Sequence, residues 1–502
     1  MALSFRPLRA LPLFLLPLAG GHLCAQVSVV ESQRVFEAQS STLDKFGHCV
    51  ALEGDWGLVG AYGKFGAEGR AHFLRRSGTS WLLDQEVSAA LPLAGAGFGW
   101  DVALAGTSAF LSAPFGSSAS GIAAQVHVFE LGPGGWSQTQ VLTASDGQLG
   151  NDFGREIAAA GDVLVAGVPN HQVGTEFFAG ASYVFRRTPA GWVEEQKLLS
   201  GSVDLNDQFG EAVATDGVRI LVGENHDQQQ AHHAGAAYVF VHDGTQWVQE
   251  AELFSSQPGV AHDFGSAVAI EGDVLAVSSR QNQGLFGGLA DFVELYRREA
   301  SGWHFEQLLQ PQSSSAADLF GWTLDLDGGR LVASRPASDI HQFHFDGSQW
   351  VEVQRWIADD PMDGSVGINV GRDVALSGDT LFGGGRHGDA SGFTTGALYV
   401  YAESELALDA LPDEGAVGQP LELRTGGGLA GTPTGLFVTQ VGGLPLLAPL
   451  APSAGLFDAQ GVHAWTFQPP AALAGLSVGL QAVGLWNPSS LGVSNELIVA
   501  FF

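Results

Sequence analysis

Five histidines stand in polar stretches between apolar runs, where metal or ligand chemistry could be done: His171, His226, His232, His233 and His387. Imidazole is the commonest protein metal ligand, and it is largely neutral near pH 7. Asn170 lies beside His171, and Asn225 and Asp227 flank His226, adding oxygen donors. Phe177, Phe178 and Phe286 fall in similar stretches, and Arg386 precedes His387. Such aromatics either anchor a partner or pack the loops down. Together these residues form the candidate ligand-binding set. Solvated loop histidines are the plainer reading of the imidazoles; a metal or ligand cluster is the sharper one.

No catalytic pattern is strong enough to assign a reaction. The sequence has no His-Glu-x-x-His, Cys-x-x-Cys or phosphate loop, and no Ser-x-Asp-x-Gly-x-x-Trp box. No catalytic, cofactor or metal residue is assigned, and an enzyme is not expected. With 53 Asp and Glu, a glycosidase-like carboxylate pair stays open, because sequence spacing says nothing about separation in space. Cys49 reads as a small buried apolar residue.

A repeat positions the candidates. Phe-Gly recurs at Phe46, Phe98, Phe153, Phe209, Phe264 and Phe320, with a degenerate seventh copy at Val370-Gly371. Eight residues after each start comes a glycine: Gly54, Gly106, Gly161, Gly217, Gly272, Gly328 and Gly378. A glycine before a small polar residue, between apolar runs, is a tight hairpin turn. Each unit then predicts a first strand after Phe-Gly and an apolar second strand such as Val163 to Ala166. A third strand such as Ala181 to Phe185 follows, and a fourth opens with Trp81, Trp136, Trp192, Trp247, Trp303 or Trp350. Four short antiparallel strands repeated seven times predict a β-propeller, with the Phe and Trp rings packed between blades. Six Trp strands serve seven units, so one outer strand is missing. The run Gln26 to Phe36 is expected to supply it, paired with Gly396 to Tyr401.

Phe-Gly, the Gly-Ala-Pro variants (Ser112-Ala113-Pro114, Gly167-Val168-Pro169), Ala-x-Tyr-Val-Phe and the Trp strand together resemble the FG-GAP repeat family, in its bacterial secreted branch. The family's integrin α-like propellers imply seven blades, an extracellular setting and recognition or adhesion. Calcium is implied by the resemblance, but its loop motif is missing: the turns Glu53-Gly54-Asp55 and Ala160-Gly161-Asp162 cannot give the six to eight oxygens calcium prefers. No cofactor is therefore expected. Asp44, Asp152, Asp207, Asp263 and Asp318, just before the Phe-Gly pairs, read as turn residues.

Alternating strand direction puts the one–two and three–four turns on one rim, and the two–three and four–one links on the other. The second rim carries the long segments and the candidate residues, and loops on a rigid scaffold are where binding resides.

Residues 1–25 read as a signal peptide cut near Ala25, with Arg6 and Arg9 before an apolar Ala10 to Leu18. No later stretch is apolar and long enough to span a bilayer. The chain carries 22 basic against 53 acidic residues, a formal net charge of −31, which excludes nucleic acid and anionic membranes as partners. Residues 26–403 read as the propeller and residues 404–502 as a C-terminal β-sandwich of Ig-like type. The expectation is all-β: a monomeric, secreted or surface-held binding module for a protein or glycan. A structural part of the envelope or surface layer is the alternative, and a polysaccharide hydrolase or lyase the lower one.

Overall fold

The computed structural model describes residues 27–30, 32–36, 44–63, 68–116, 123–147, 150–280, 291–311, 319–336, 339–357, 369–386 and 396–402, and strand backbone within 408–500. Every described element is a strand. Between residues 27 and 402 the strands form seven sheets, the blades of a propeller. Blade 3 shows the plan: Ile157–Ala160, Val163–Val168, Ala181–Thr188 and Gly191–Leu198 pair in chain order, each antiparallel to the last. The turn between its first two strands needs positive φ, and Gly161 supplies it at 57°. All seven glycines eight residues past the repeat start have positive φ.

No single four-stranded sheet can cover both its faces, so the apolar residues are buried between neighbouring blades. Phe46, Phe98, Phe209, Phe264 and Phe320 are at most 1 % exposed, as is Val370 in the degenerate copy. The Trp rings seal the outer half of each interface. Trp136 of blade 2 stacks on Phe73 of blade 1 at 4.3 Å, and Trp192 of blade 3 meets Phe110 of blade 2 at 4.8 Å.

A polar clamp runs along this seal. The residue four past the Trp is glutamine in most units, and its amide bonds both backbone groups of the next blade's Trp. Gln85 donates to Trp136 O at 2.7 Å and accepts from Trp136 N at 2.9 Å. Gln140 does the same for Trp192, Gln196 for Trp247 and Gln307 for Trp350.

The N-terminal run closes the ring, though not as one strand. Gln33–Val35 pairs antiparallel with Ala397–Ala402 and completes blade 7. Gln33 then clamps Trp81 of blade 1 at 2.7 and 2.8 Å, as its counterparts do. Val27–Val30, expected in the same blade, instead lies parallel along Trp350–Ile357 of blade 6. There it occupies the backbone groups of an outer edge that would otherwise stay open.

Beyond residue 402 the described backbone is again all strand, in two antiparallel sheets. Leu408–Leu411, Leu421–Thr425 and His463–Phe467 form one; Pro433–Val441, Leu444–Leu456, Ser477–Asn487, Ser490–Val493 and Leu497–Ala500 form the other. Among the described residues no helix is long and apolar enough to cross a membrane.

Candidate functional site

The two–three loops and the Phe-Gly links share a rim, as isolated bridges between blades demonstrate. Phe98 pairs with Gly69, Phe209 with Gly180, Phe264 with Gly235 and Phe46 with Gly396. The approach is close enough to require glycine: a Cβ on Gly180 would lie 2.2 Å from the Phe209 oxygen, and Gly180 has φ 91°.

These contacts pin the long loops to the next blade. In blade 3 the carbonyls of Phe177, Phe178 and Ala179 accept from the amides of Asn206, Gln208 and Phe209 at 2.9–3.0 Å. In blade 4 the carbonyls of His232, His233 and Ala234 accept from Ala261, Asp263 and Phe264 at 2.9–3.1 Å. The loops are long, yet their far ends are held as an extra layer of backbone pairing.

His171 is buried and His226 and His233 are partly buried, which corrects the plainer expectation for these three, whereas His232 is exposed. His171 is 4 % exposed, held by Asn151 at 3.1 Å and Lys197 at 2.6 Å. His226 is held in the same way by Asn206 at 3.0 Å. Its ring stacks on His233 at 4.2 Å, and His233 stacks on His232 at 4.1 Å. Burial, with His233 close by, pushes His226 down to about 4. Asn225 and Asp227 are buried, and Asp227 accepts from the Gln229 amide. Asn170 donates to Asp152 at 2.8 Å. These side chains hold the loops in shape. Phe177 and Phe178, in contrast, are 56 % and 46 % exposed. Arg386 ends a strand, while Phe286 and His387 lie outside the described residues.

The aspartates before Phe-Gly are turn residues in part. Asp207 accepts from the Asp204 amide at 2.7 Å. Asp152 and Asp263 have φ of 57° and 45°, in the left-handed region. Asp318 lies outside the described residues.

The axis of the propeller was not legible in the sequence. Innermost strands of a propeller ring its axis, and three units carry a carboxylate three residues past the start: Asp101, Glu156 and Asp373. Each reaches forward to the next blade. Asp101 accepts from Ile157 N at 2.6 Å and Asp373 from Val50 N at 2.8 Å. Asp325 of blade 6 likewise accepts from Leu376 N at 2.7 Å. Burial raises all of them: Asp101 to about 8, with Asp373 adding to the rise, Asp325 to about 7, Asp373 to about 6, and Glu156 well above its ordinary value.

Around these carboxylates, on the long-loop rim, sit the residues two past each start. His48 lies between Tyr62 at 4.4 Å and Trp100 at 4.6 Å, and Trp100 meets Phe115 at 4.7 Å. Arg155 covers Trp100 at 4.7 Å, Arg280 covers Trp322 at 4.5 Å, and Arg372 donates to His48 at 2.8 Å. The clue lay in the positions straight after Phe-Gly, which vary in type while the repeat around them is constant.

The axial carboxylates set a pH dependence. Their folded-state values lie above the unfolded ones, so ionisation costs the folded protein stability at alkaline pH. That cost is relieved as pH falls through about 8, 7 and 6. The melting temperature is expected to rise by on the order of 5 °C between about pH 8.5 and 5.5. Scanning calorimetry across that range checks it, and a flat or falling profile would contradict the burial of these groups.

The FG-GAP repeat family model matches residues 136–185 and 192–240. Each match runs from an outer Trp strand through the third strand of the following blade, the unit that the Gln clamps join. These two stretches are FG-GAP repeats, set in a seven-bladed propeller. Among solved structures, the chain is similar to Sqt1 of Saccharomyces cerevisiae at 9 % identity and a TM-score of 0.41, covering 88 % of this chain and 100 % of that one. It is also similar to Sqt1 from Chaetomium thermophilum at 13 % identity and a TM-score of 0.41, covering 93 % and 100 %. No curated protein matches the sequence.

Proposed function

We propose that the FG-GAP propeller is an extracellular binding module that captures a protein or glycan partner on its long-loop rim. In this reading residues 1–25 direct export, and residues 404–502 form an Ig-like sandwich that spaces or attaches the propeller.

One observation carries the reading. Phe177 and Phe178 are held out in solvent on a loop whose backbone is bonded to the next blade. Phe178 does so with φ 56°, a conformation that costs a bulky residue energy. Side chains that merely packed the loop down would be covered. An exposed aromatic pair on pinned backbone loses little freedom when a partner covers it.

The test is a capture screen of the chain against surface proteins and glycans, repeated with Phe177→Ser and Phe178→Ser together. Truncating an aromatic anchor costs about 2 kcal/mol or more, so capture weakens at least about tenfold while the melting temperature holds. Capture unaffected by the double substitution would remove this surface from the function. Self-association that survives it would favour a packing role instead.

A further inference from the structure

Outside the rim's aromatic surface, the junction of blades 4 and 5 gathers side chains of a different chemistry. We propose that His226, His233 and Asp263 form a binding site for a divalent transition-metal ion of the zinc type. The inference does not depend on partner capture.

Each of the three offers one ligand atom, and these atoms lie within 4.8 Å of one another. A tetrahedral zinc site with bonds of 2.0–2.2 Å places its ligand atoms about 3.4 Å apart. The cluster is thus within a small side-chain adjustment of that geometry. The residues come from separate segments. His226 follows the second strand of blade 4, His233 lies at the far end of the same loop, and Asp263 immediately precedes Phe264, which opens blade 5. The backbone already joins two of them: the Asp263 amide donates to the His233 carbonyl at 3.1 Å.

A further observation points to a cation. Asp263 Oδ1 is buried without a hydrogen-bond partner. A buried acceptor left unsatisfied destabilises the fold, and a metal ion is one group that would satisfy it. The Asn206 side-chain amide nitrogen donates to His226 Nδ1 at 3.0 Å and fixes the orientation of that ring.

The donor set of two imidazoles and one carboxylate suits zinc, and it is poor for calcium, which prefers six to eight oxygens. Three protein ligands leave a fourth position for water or a group from outside.

Calorimetric titration of the full chain with zinc chloride tests the site. One ion per chain is expected to bind, and His233→Ala and Asp263→Asn should each weaken binding at least about tenfold. His304→Ala, at an exposed position on the outer strand of blade 5, should leave it unchanged. If a substitution disturbs folding, the wild-type chain supplies a second measurement. Zinc should protect His226 and His233, but not His304, from modification by diethyl pyrocarbonate, read by mass spectrometry. The proposal is overturned by absence of binding in the wild type, by isotherms unchanged in His233→Ala or Asp263→Asn, or by lack of protection at the two histidines.

Discussion

Removing residues 27–36 lowers the melting temperature by more than about 10 °C, the largest effect expected of any short deletion in the propeller. The loss is the sum of distinct interactions. Val35 is 7 % exposed, in a cluster with Phe46, Val59, Trp81, Phe382, Leu398 and Val400. Its removal opens that cluster to water at a cost of about 1.5–3 kcal/mol for the one side chain. The ladder from Gln33–Val35 to Leu398–Val400 disappears, as do the bonds from Ser32 to the Val400 carbonyl. Trp81 loses its only glutamine clamp among the described bonds. Most of the loss is cooperative. A closed ring of blades has no terminal repeat, whereas an opened one has two, each with an uncovered apolar face. Gln33→Ala, which breaks only the clamp, should cost about 1 kcal/mol. Scanning calorimetry of both variants checks the ranking, and a deletion variant melting within about 2 °C of the parent would show that the ring does not depend on this strand.

The second large effect belongs to Asp339 in blade 6, whose side chain is fully buried. Arg335 reaches it through two bonds at 2.7 and 2.8 Å, Arg355 adds another, and His341 lies at 3.1 Å. His341 continues to Glu352 at 2.5 Å. Burial opposes ionisation of Asp339, but the bonds from His341 and Arg335 outweigh it and hold the carboxyl well below its usual range. Asp339→Ala leaves Arg335 and His341, 7 % and 1 % exposed, without the anion between them. Breaking one partner out of a buried ion network costs about 3–5 kcal/mol. The melting temperature should fall accordingly, and a change of less than about 1 kcal/mol in chemical denaturation would refute the network's importance. Arg355→Met should cost much less, since the Arg355 side chain is 31 % exposed and screened by solvent.

Blade architecture was legible because its signals are local. A positive-φ glycine eight residues past Phe46 or Phe153 makes its turn without help from the rest of the chain, and the Trp seal repeats at nearly fixed spacing. The closing strand was legible as a deficit, one outer strand short, and its partner was read correctly. That Val27–Val30 would turn aside onto blade 6 was not, because an apolar run fits either edge and only the assembled ring decides which is open.

The site was legible in outline only. The rim could be inferred from strand alternation, but the state of its side chains could not. His171 reads as a polar loop residue, and only folding brings Asn151 and Lys197 against it. Asp263 stands 30 residues after His233, and the bond that joins their backbones spans two blades. The axial carboxylates look like ordinary first-strand residues, since a shared axis exists only when seven copies stand around it.

The N-terminal seal also fixes an order of events in time. Ser32 bonds Val400 across 368 residues, so the first blade-forming segment to be synthesised has no partner until nearly the whole propeller exists. While it waits, the edge at Ala397–Ala402 has yet to form and the segment Gln33–Val35 stays unpaired. Contacts of such separation close late and slowly. The ring therefore completes only after synthesis of the repeats has ended, in whichever compartment the finished chain then occupies. A chain stopped short of residue 397 keeps its first and last blades unsealed however well the blades between them have formed.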